Sequence, residues 1–299
     1  MKTETHPSPF GEKHSEHFFT DARDFWWNED FLHLMAKRWG IDTVHSVLEI
    51  GCGVGHWTSA LLRVLPKDAA VTAVDREPEW VKKSQERFGS RVKCLQSTAE
   101  KLPFPDHSFD MVTCQTLLIH VADPNRVIQE MLRVLKPNGL LAVAEPSNIA
   151  QTHDSVETTP DEATALFRLN MICERGKIAL GEGNSSLGDL LPGIFSSIGI
   201  GNIQVYTGDK AAALYPPYAG AGQKEALADR LRDAETGYYM FGLEQTRKYF
   251  LAGGGSADEF DRIWNIAQHN LAKVKTEIVN ERFHSAGGSV MYLVSGRKQ

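Results

Sequence analysis

The sequence predicts an α/β protein built on an open, mostly parallel sheet, and three observations carry that expectation. Short apolar strands alternate with amphipathic helical stretches from residue 46 to residue 146, the pattern of successive strand–helix–strand units. The first of these strands runs straight into Gly51-Cys52-Gly53-Val54-Gly55, three glycines at alternate positions followed at once by a helical pattern. Such a turn sits at the carboxyl end of the sheet, where open α/β folds bind their ligands. The next strand ends on Asp75, 24 residues beyond Gly51, close to the interval at which a carboxylate meets ribose hydroxyls in folds of this kind.

The elements follow in order. Residues 1–17 are polar, and from 18 to 39 aromatics crowd a single helical pattern that Asp21 or Asp24 caps and Gly40 ends. That stripe serves either as core packing or as a roof over the site. Strand one spans 46–50, and its helix carries Trp57, Leu61, Leu62 and Leu65 before stopping at Pro66. Strand two covers 71–74, followed by a helix through Trp80, Val81, Ser84 and Phe88 that closes at Gly89. Strands three and four fall at 91–96 and 109–115. Asp123-Pro124 starts a helix with Val127, Ile128, Met131, Leu132 and Leu135 on one face, and Pro137-Asn138-Gly139 turns into strand five at 140–144. Beyond Pro146 the regularity loosens into a polar helical stretch to 185, an apolar-faced helix at 186–198 and strand six at 203–207. Two or three amphipathic helices occupy 208–287, the clearest from 257 to about 283, and a last strand covers 289–295. The first five strands make one Rossmann-like sheet.

Bulk properties narrow the class. A chain of 299 residues with 42% hydrophobic and 23% charged residues is that of an ordinary globular protein of one or two domains. Its net charge of −6 speaks against a broad phosphate-binding face, and nucleic acid is not an expected partner. The four cysteines, Cys52, Cys94, Cys114 and Cys173, show neither C-x-x-C spacing nor a disulfide framework. The polar N-terminus has no apolar signal region, and no apolar run is long enough to span a bilayer. The expectation is a cytoplasmic enzyme without membrane contact. The histidines are scattered, so no metal site is expected.

A dinucleotide fingerprint requires glycine at position 56, where His56 stands. The pattern here is instead E-x-G-x-G-x-G, with Glu49 two residues before Gly51. It resembles the first motif of the class I S-adenosylmethionine (SAM)-dependent methyltransferases. That resemblance implies that Gly51, Cys52, Gly53 and Gly55 admit the amino-acid part of SAM and that Glu49 helps to hold its ammonium group. It also implies that Asp75, followed by Arg76, bridges the ribose hydroxyls. The stretch from Thr98-Ala99-Glu100 through Leu102-Pro103-Phe104-Pro105-Asp106 to Ser108-Phe109-Asp110 is similar to a segment common in methyltransferases of small molecules. The family often has aspartate where Thr98 stands; a hydroxyl also accepts a hydrogen bond, so adenine recognition falls to Thr98, to the Ala99 backbone or to its neighbours. Gln115 through Pro124 is similar to the "L-H-H-V-x-D-P" segment of the ubiquinone/menaquinone-type group, with His120 kept and Ile119 in the other histidine's place.

From this resemblance Gln115 is expected near the cofactor. His120 either packs beside SAM or orients or deprotonates the acceptor, since imidazole titrates near neutrality. Glu145, at the predicted end of strand five, is either an acceptor contact and base or a solvated strand-end charge. His153, His284, Tyr238 and Tyr239 are further candidates. The amino-methyltransferase motif with paired prolines is absent.

The implied architecture is a Rossmann-like seven-stranded, mostly parallel sheet with helices on both faces. A helical cover is inserted after strand five and between strands six and seven. The expected divisions are an N-terminal helical segment (1–40) over the cofactor site, a SAM-binding core (41–148), a cover segment (149–185), core helix and strand six (186–207), a second cover insertion (208–287) and the last strand (288–299). The cover is either a substrate lid or a dimer interface, or both. The expected activity is in-line transfer of a methyl group from SAM to a small molecule, leaving S-adenosylhomocysteine (SAH). RNA or protein methylation, a non-methylating SAM-binding enzyme or partner subunit, and an NAD-dependent oxidoreductase are the alternatives. The acceptor atom is not legible in these motifs.

Overall fold

The computed structural model describes residues 17, 19–152 and 158–299. Seven strands form one sheet in the order β3-β2-β1-β4-β5-β7-β6. β1 (Ser46–Ile50), β2 (Ala70–Asp75), β3 (Val92–Gln96), β4 (Phe109–Gln115) and β5 (Leu135–Thr152) run parallel. β7 (Gly288–Arg297) pairs antiparallel with both β5 and β6 (Gly201–Thr207). The strand order reverses direction between β1 and β4, which opens a crevice at their carboxyl ends. Register levels that crevice: Ile50 pairs with Val74 on one side and Cys114 on the other, and Gln115 pairs with Ala144. Gly51, Asp75 and Gln115 therefore emerge at one edge.

Both faces of the sheet are covered. α1 (Glu29–Trp39) and α2 (His56–Leu62) close one apolar layer around Leu32, Met35, Trp57 and Leu61. The N-terminal pattern breaks in two where the sequence predicts one helix. A 3-10 turn at Asp21–Phe25 is separated from α1 by Asn28 in extended conformation. The aromatics have split duties: Trp27 is buried and packs on Trp57 with ring centres 5.3 Å apart at the edge of the crevice, whereas Phe25 and Trp26, less buried, line the crevice. Gly40 ends α1 in the left-handed conformation. α3 (Pro78–Phe88) follows β2, and Asp123 caps α4 (Pro124–Val134) by accepting the Arg126 N–H at 3.1 Å. Val127, Ile128, Met131 and Val134 on α4 are fully buried in the second apolar layer, each burial stabilising by about 1.5–3 kcal/mol.

β5 differs most from its expected extent. The turn predicted at Pro137-Asn138-Gly139 survives only as a kink with Asn138 at φ 61°, and the strand continues to Thr152 because β7 pairs alongside it. The apolar segment after it begins with a 3-10 turn, so α6 (Leu191–Ile198) starts later than the sequence predicts.

Over the crevice lie α5 (Pro160–Ala179), α7 (Gln223–Thr236) and α8 (Leu243–Ala252), with α9 (Ala257–Val279) packed against them. α5 opens with a capping box between Thr159 and Glu162. Its crossing with α8 is close enough that a Cβ on Gly176 would lie 1.7 Å from the Tyr249 carbonyl oxygen. Leu169, Cys173, Phe250, Phe260 and Ile263 give these helices an apolar core of their own. No helix among the described residues is long and apolar enough to cross a membrane.

Candidate active site

The crevice opens into a cavity of about 1700 Å³, floored by the strand ends and covered by His17, residues 19–27, α5, α7 and α8. Its size exceeds the roughly 300–1,000 Å³ of an ordinary small-molecule site and leaves room for two ligands together.

The glycine turn is held by backbone bonds to β2, from the Gly51 and Cys52 N–H groups to the Val74 carbonyl at 2.8 and 3.0 Å. Glu49 is buried, and its Oε2 accepts from the Thr58 hydroxyl at 2.5 Å. Burial pushes its carboxyl up to about 8. Asp75 accepts the Gly53 N–H on one oxygen and the Glu77 N–H on the other, both at 2.9 Å, and burial raises its pKa. Each carboxylate oxygen keeps a lone pair for a ligand. Gly51, Cys52, Arg76, Thr98, Ala99, Glu100, Gln115 and His120 line the same cavity as Glu49 and Asp75.

Three predicted site residues stand elsewhere. Gly53 and Gly55 lie behind the lining; Gly55 takes φ +89° to start α2, and a Cβ there would lie 2.2 Å from the Phe88 ring. These glycines shape the turn. Glu145 is a correction to both of its expected roles. Because β5 runs on past it, opposite Tyr292, it is neither a strand end nor a cavity wall. Its carboxylate turns beneath the loop after β4 and accepts the N–H groups of Leu117 and Leu118 at 2.9 Å and of Ile119 at 3.4 Å. Burial pushes its pKa up to about 7. It holds the loop that carries His120. From above, Lys177 on α5 grips the same loop, donating to the Ile119 carbonyl at 3.1 Å and to the Ser185 hydroxyl at 2.8 Å.

Among the cover candidates, Tyr238 stacks on His17 with centres 3.5 Å apart, Tyr239 packs on Trp264, and His284 is exposed; none lines the cavity. His153 lies outside the described residues. Among those residues no group of three or more His, Cys, Asp or Glu is arranged to hold a metal ion.

Sequence reasoning passed over two site residues. Arg23, on the 3-10 turn, donates to the Thr116 hydroxyl at 2.9 Å. His56, the first residue of α2, meets Asp24 at 2.7 Å, and Arg87 meets the same carboxylate at 2.8 Å, clamping the N-terminal segment onto the core. An arginine between Phe19 and Phe25 in the aromatic stripe was the available signal for Arg23. Buried polar atoms without a partner mark the site independently. Among the described residues there are six, and five belong to cavity-lining side chains: Arg23 Nε, His56 Nε2, Gln115 Oε1, Gln223 Oε1 and Arg232 Nε. Orphan groups collected around one cavity are groups that a ligand satisfies.

Comparison with known proteins adds the lineage. The family described as "Methyltransferase domain" matches residues 48–143. That segment is a methyltransferase domain. "Uncharacterized methyltransferase YcgJ" of Bacillus subtilis is 37% identical over 136 residues, 45% of this chain and 53% of that protein. "Ubiquinone/menaquinone biosynthesis C-methyltransferase UbiE" of Shewanella halifaxensis is 30% identical over 164 residues, 52% of this chain and 63% of that protein. The chain thus spans little more than half the length of these curated relatives. Phosphoethanolamine N-methyltransferase 2 of Haemonchus contortus, solved with phosphomonomethylethanolamine and SAH, shares the fold at TM-score 0.50 and 17% identity, over 96% of this chain and 58% of that one. The methyltransferase domain holds β1 through the first half of β5, with Glu49, Asp75, Gln115 and His120. Arg23, Lys177 and α7 lie outside it.

Proposed function

We propose that this protein is a SAM-dependent methyltransferase that acts on a small-molecule acceptor held beneath the helical cover. The observation that carries this reading is the glycine turn of the methyltransferase domain, tied to Asp75 at the floor of a cavity large enough for cofactor and acceptor together. The residues fit the cofactor. Glu49 and the unpartnered Gln115 Oε1 are acceptors suited to an ammonium group, Asp75 to vicinal hydroxyls, and the Thr98–Glu100 backbone to adenine. The bound cofactor supplies a methyl group on a cationic sulfur. The chain's own residues bind and align the acceptor beneath residues 19–27 and α7.

With Glu145 engaged by backbone N–H groups, His120 is the side chain we assign as base for an acceptor that needs deprotonation. A chamber lined on its far side by the helical cover, in a chain of net charge −6, favours a small molecule over RNA or protein. The acceptor of UbiE is not carried over, because most of the chamber wall lies outside the methyltransferase domain. Four free cysteines accord with a reducing, cytoplasmic location.

The test is thermal unfolding of the purified protein with SAM, SAH and NAD(H) in turn, followed by methyl transfer from labelled SAM to a metabolite panel, bulk RNA and lysate protein. Stabilisation by SAM and SAH alone, about 2.7 kcal/mol at a hundredfold excess over Kd, is expected. A response to NAD(H) alone sinks the reading.

A further inference from the structure

The cavity is lined by a half-buried cation, Arg23, with no carboxylate within ion-pair distance among the described residues. The Arg23 guanidinium donates one Nη2 hydrogen bond to Thr116 and lies over the Trp26 ring at 4.3 Å and near Phe19 at 5.7 Å. Its Nε has no partner, and no carboxylate among the described residues lies within ion-pair distance. The carboxylates nearby are engaged. Asp24 is shared by His56 and Arg87, Glu49 accepts from Thr58, and Glu145 accepts backbone N–H groups. Burial pulls the Arg23 pKa down to about 10, which still leaves the group charged at neutral pH.

An apolar side chain of similar length would pack between Phe19 and Trp26 without leaving a charge uncompensated. What arginine adds is a planar fork matched to a carboxylate or similar oxyanion. Around it the backbone is specialised: Thr116, which receives the Nη2 bond, holds φ 51°, a conformation rare outside glycine and a recurrent mark of functional sites. Its neighbour Gln115 presents an unpartnered acceptor to the same cavity.

We propose that Arg23 is a binding residue for an anionic oxygen group on a cavity ligand. The group is positioned where the N-terminal segment crosses the end of β4. The inference deepens the methyltransferase reading and rests on it for the identity of the ligands. Two sources share the chemistry, the α-carboxylate of the cofactor and an oxyanion of the acceptor.

The experiment uses the full chain in three forms, unmodified, Arg23→Lys and Arg23→Gln, each first checked for a cooperative thermal transition. SAH and its decarboxylated analogue, which keeps the amine and thioether, are titrated calorimetrically. Sodium benzoate, as the probe for an acceptor oxyanion, is titrated in thermal unfolding with and without SAH. If the cofactor carboxylate is the partner, Arg23→Gln weakens SAH binding by roughly ten- to a hundredfold, leaves the analogue unaffected, and Arg23→Lys falls between. If the acceptor is the partner, SAH binding is unchanged, and benzoate raises the melting temperature of the unmodified protein but not of Arg23→Gln. SAH binding alike in all three forms, together with benzoate acting on both proteins equally or on neither, overturns the inference. Failure of the unmodified protein to bind SAH at all would instead remove the cofactor reading, and the benzoate arm alone would then judge Arg23.

Discussion

Glu49 is buried against Thr58 with its pKa lifted from 4.5 to about 8, so near neutrality the folded state holds a proton that the unfolded chain has released. The folded pKa is the higher one. Its contribution to stability is therefore full below about pH 4.5 and is lost as pH rises through 8. Glu145, lifted to about 7, acts in the same sense. Thermal unfolding from pH 5 to 8 should show the melting temperature falling, and Glu49→Gln should flatten that slope; an unchanged slope would mean Glu49 is already ionised. Asp75 makes two backbone hydrogen bonds with its carboxylate, so Asp75→Asn, which keeps one acceptor oxygen, should lose less SAH affinity than Asp75→Ala. A loss of roughly ten- to a hundredfold in the alanine variant is expected by calorimetry. Glu145→Ala strands buried N–H groups at residues 117 to 119 and should destabilise by about 3 kcal/mol in urea unfolding. A change in transfer rate without loss of stability would return Glu145 to the chemistry.

At the scale of elements, the strands of the methyltransferase domain were legible because five short apolar runs are separated by three amphipathic helices and one polar stretch. β1 and β4 fall at the predicted residues. The N-terminal segment and β5 were not legible in the same way. Aromatic periodicity does not say which side of a chain faces the sheet and which faces a cavity, so the break at Asn28 was hidden. Strand length in β5 is set by its partner β7, more than 130 residues away in the chain. The α5–α8 crossing is a similar long-range fact. Gly176 reads as a weak point in a helix, yet it permits contact with the Tyr249 carbonyl. Gly176→Ala should cost about 3 kcal/mol in denaturant unfolding through overpacking, despite alanine's better helix propensity. A gain in stability would mean that the two helices can separate freely.

The whole molecule places its ligand chamber between two regions that are distant in sequence, residues 19–27 with His17 and the 208–287 insertion. Phe25 meets Gly222 at the start of α7, and His17 meets Asp233 at 2.8 Å. A ligand beneath them should tighten both at once. Hydrogen exchange with and without SAH is expected to show added protection in residues 19–27 and in α7, and little change in α9. Protection confined to the glycine turn would mean that the roof takes no part in binding.

By itself the sequence determined the α/β class, the glycine turn, the position of Asp75 at the crevice and the lineage of the central segment. Those features are local: a strand, a turn and a helix are written in consecutive residues, and backbone geometry leaves them few alternatives. Only the tertiary structure decided that Glu145 is a buried support, that Arg23 reaches the chamber, and that the unpartnered polar atoms gather around one cavity. Those outcomes depend on burial and on contacts across a hundred residues or more. A carboxylate or guanidinium has the same name in the sequence whether its partner is water, a backbone N–H or a ligand.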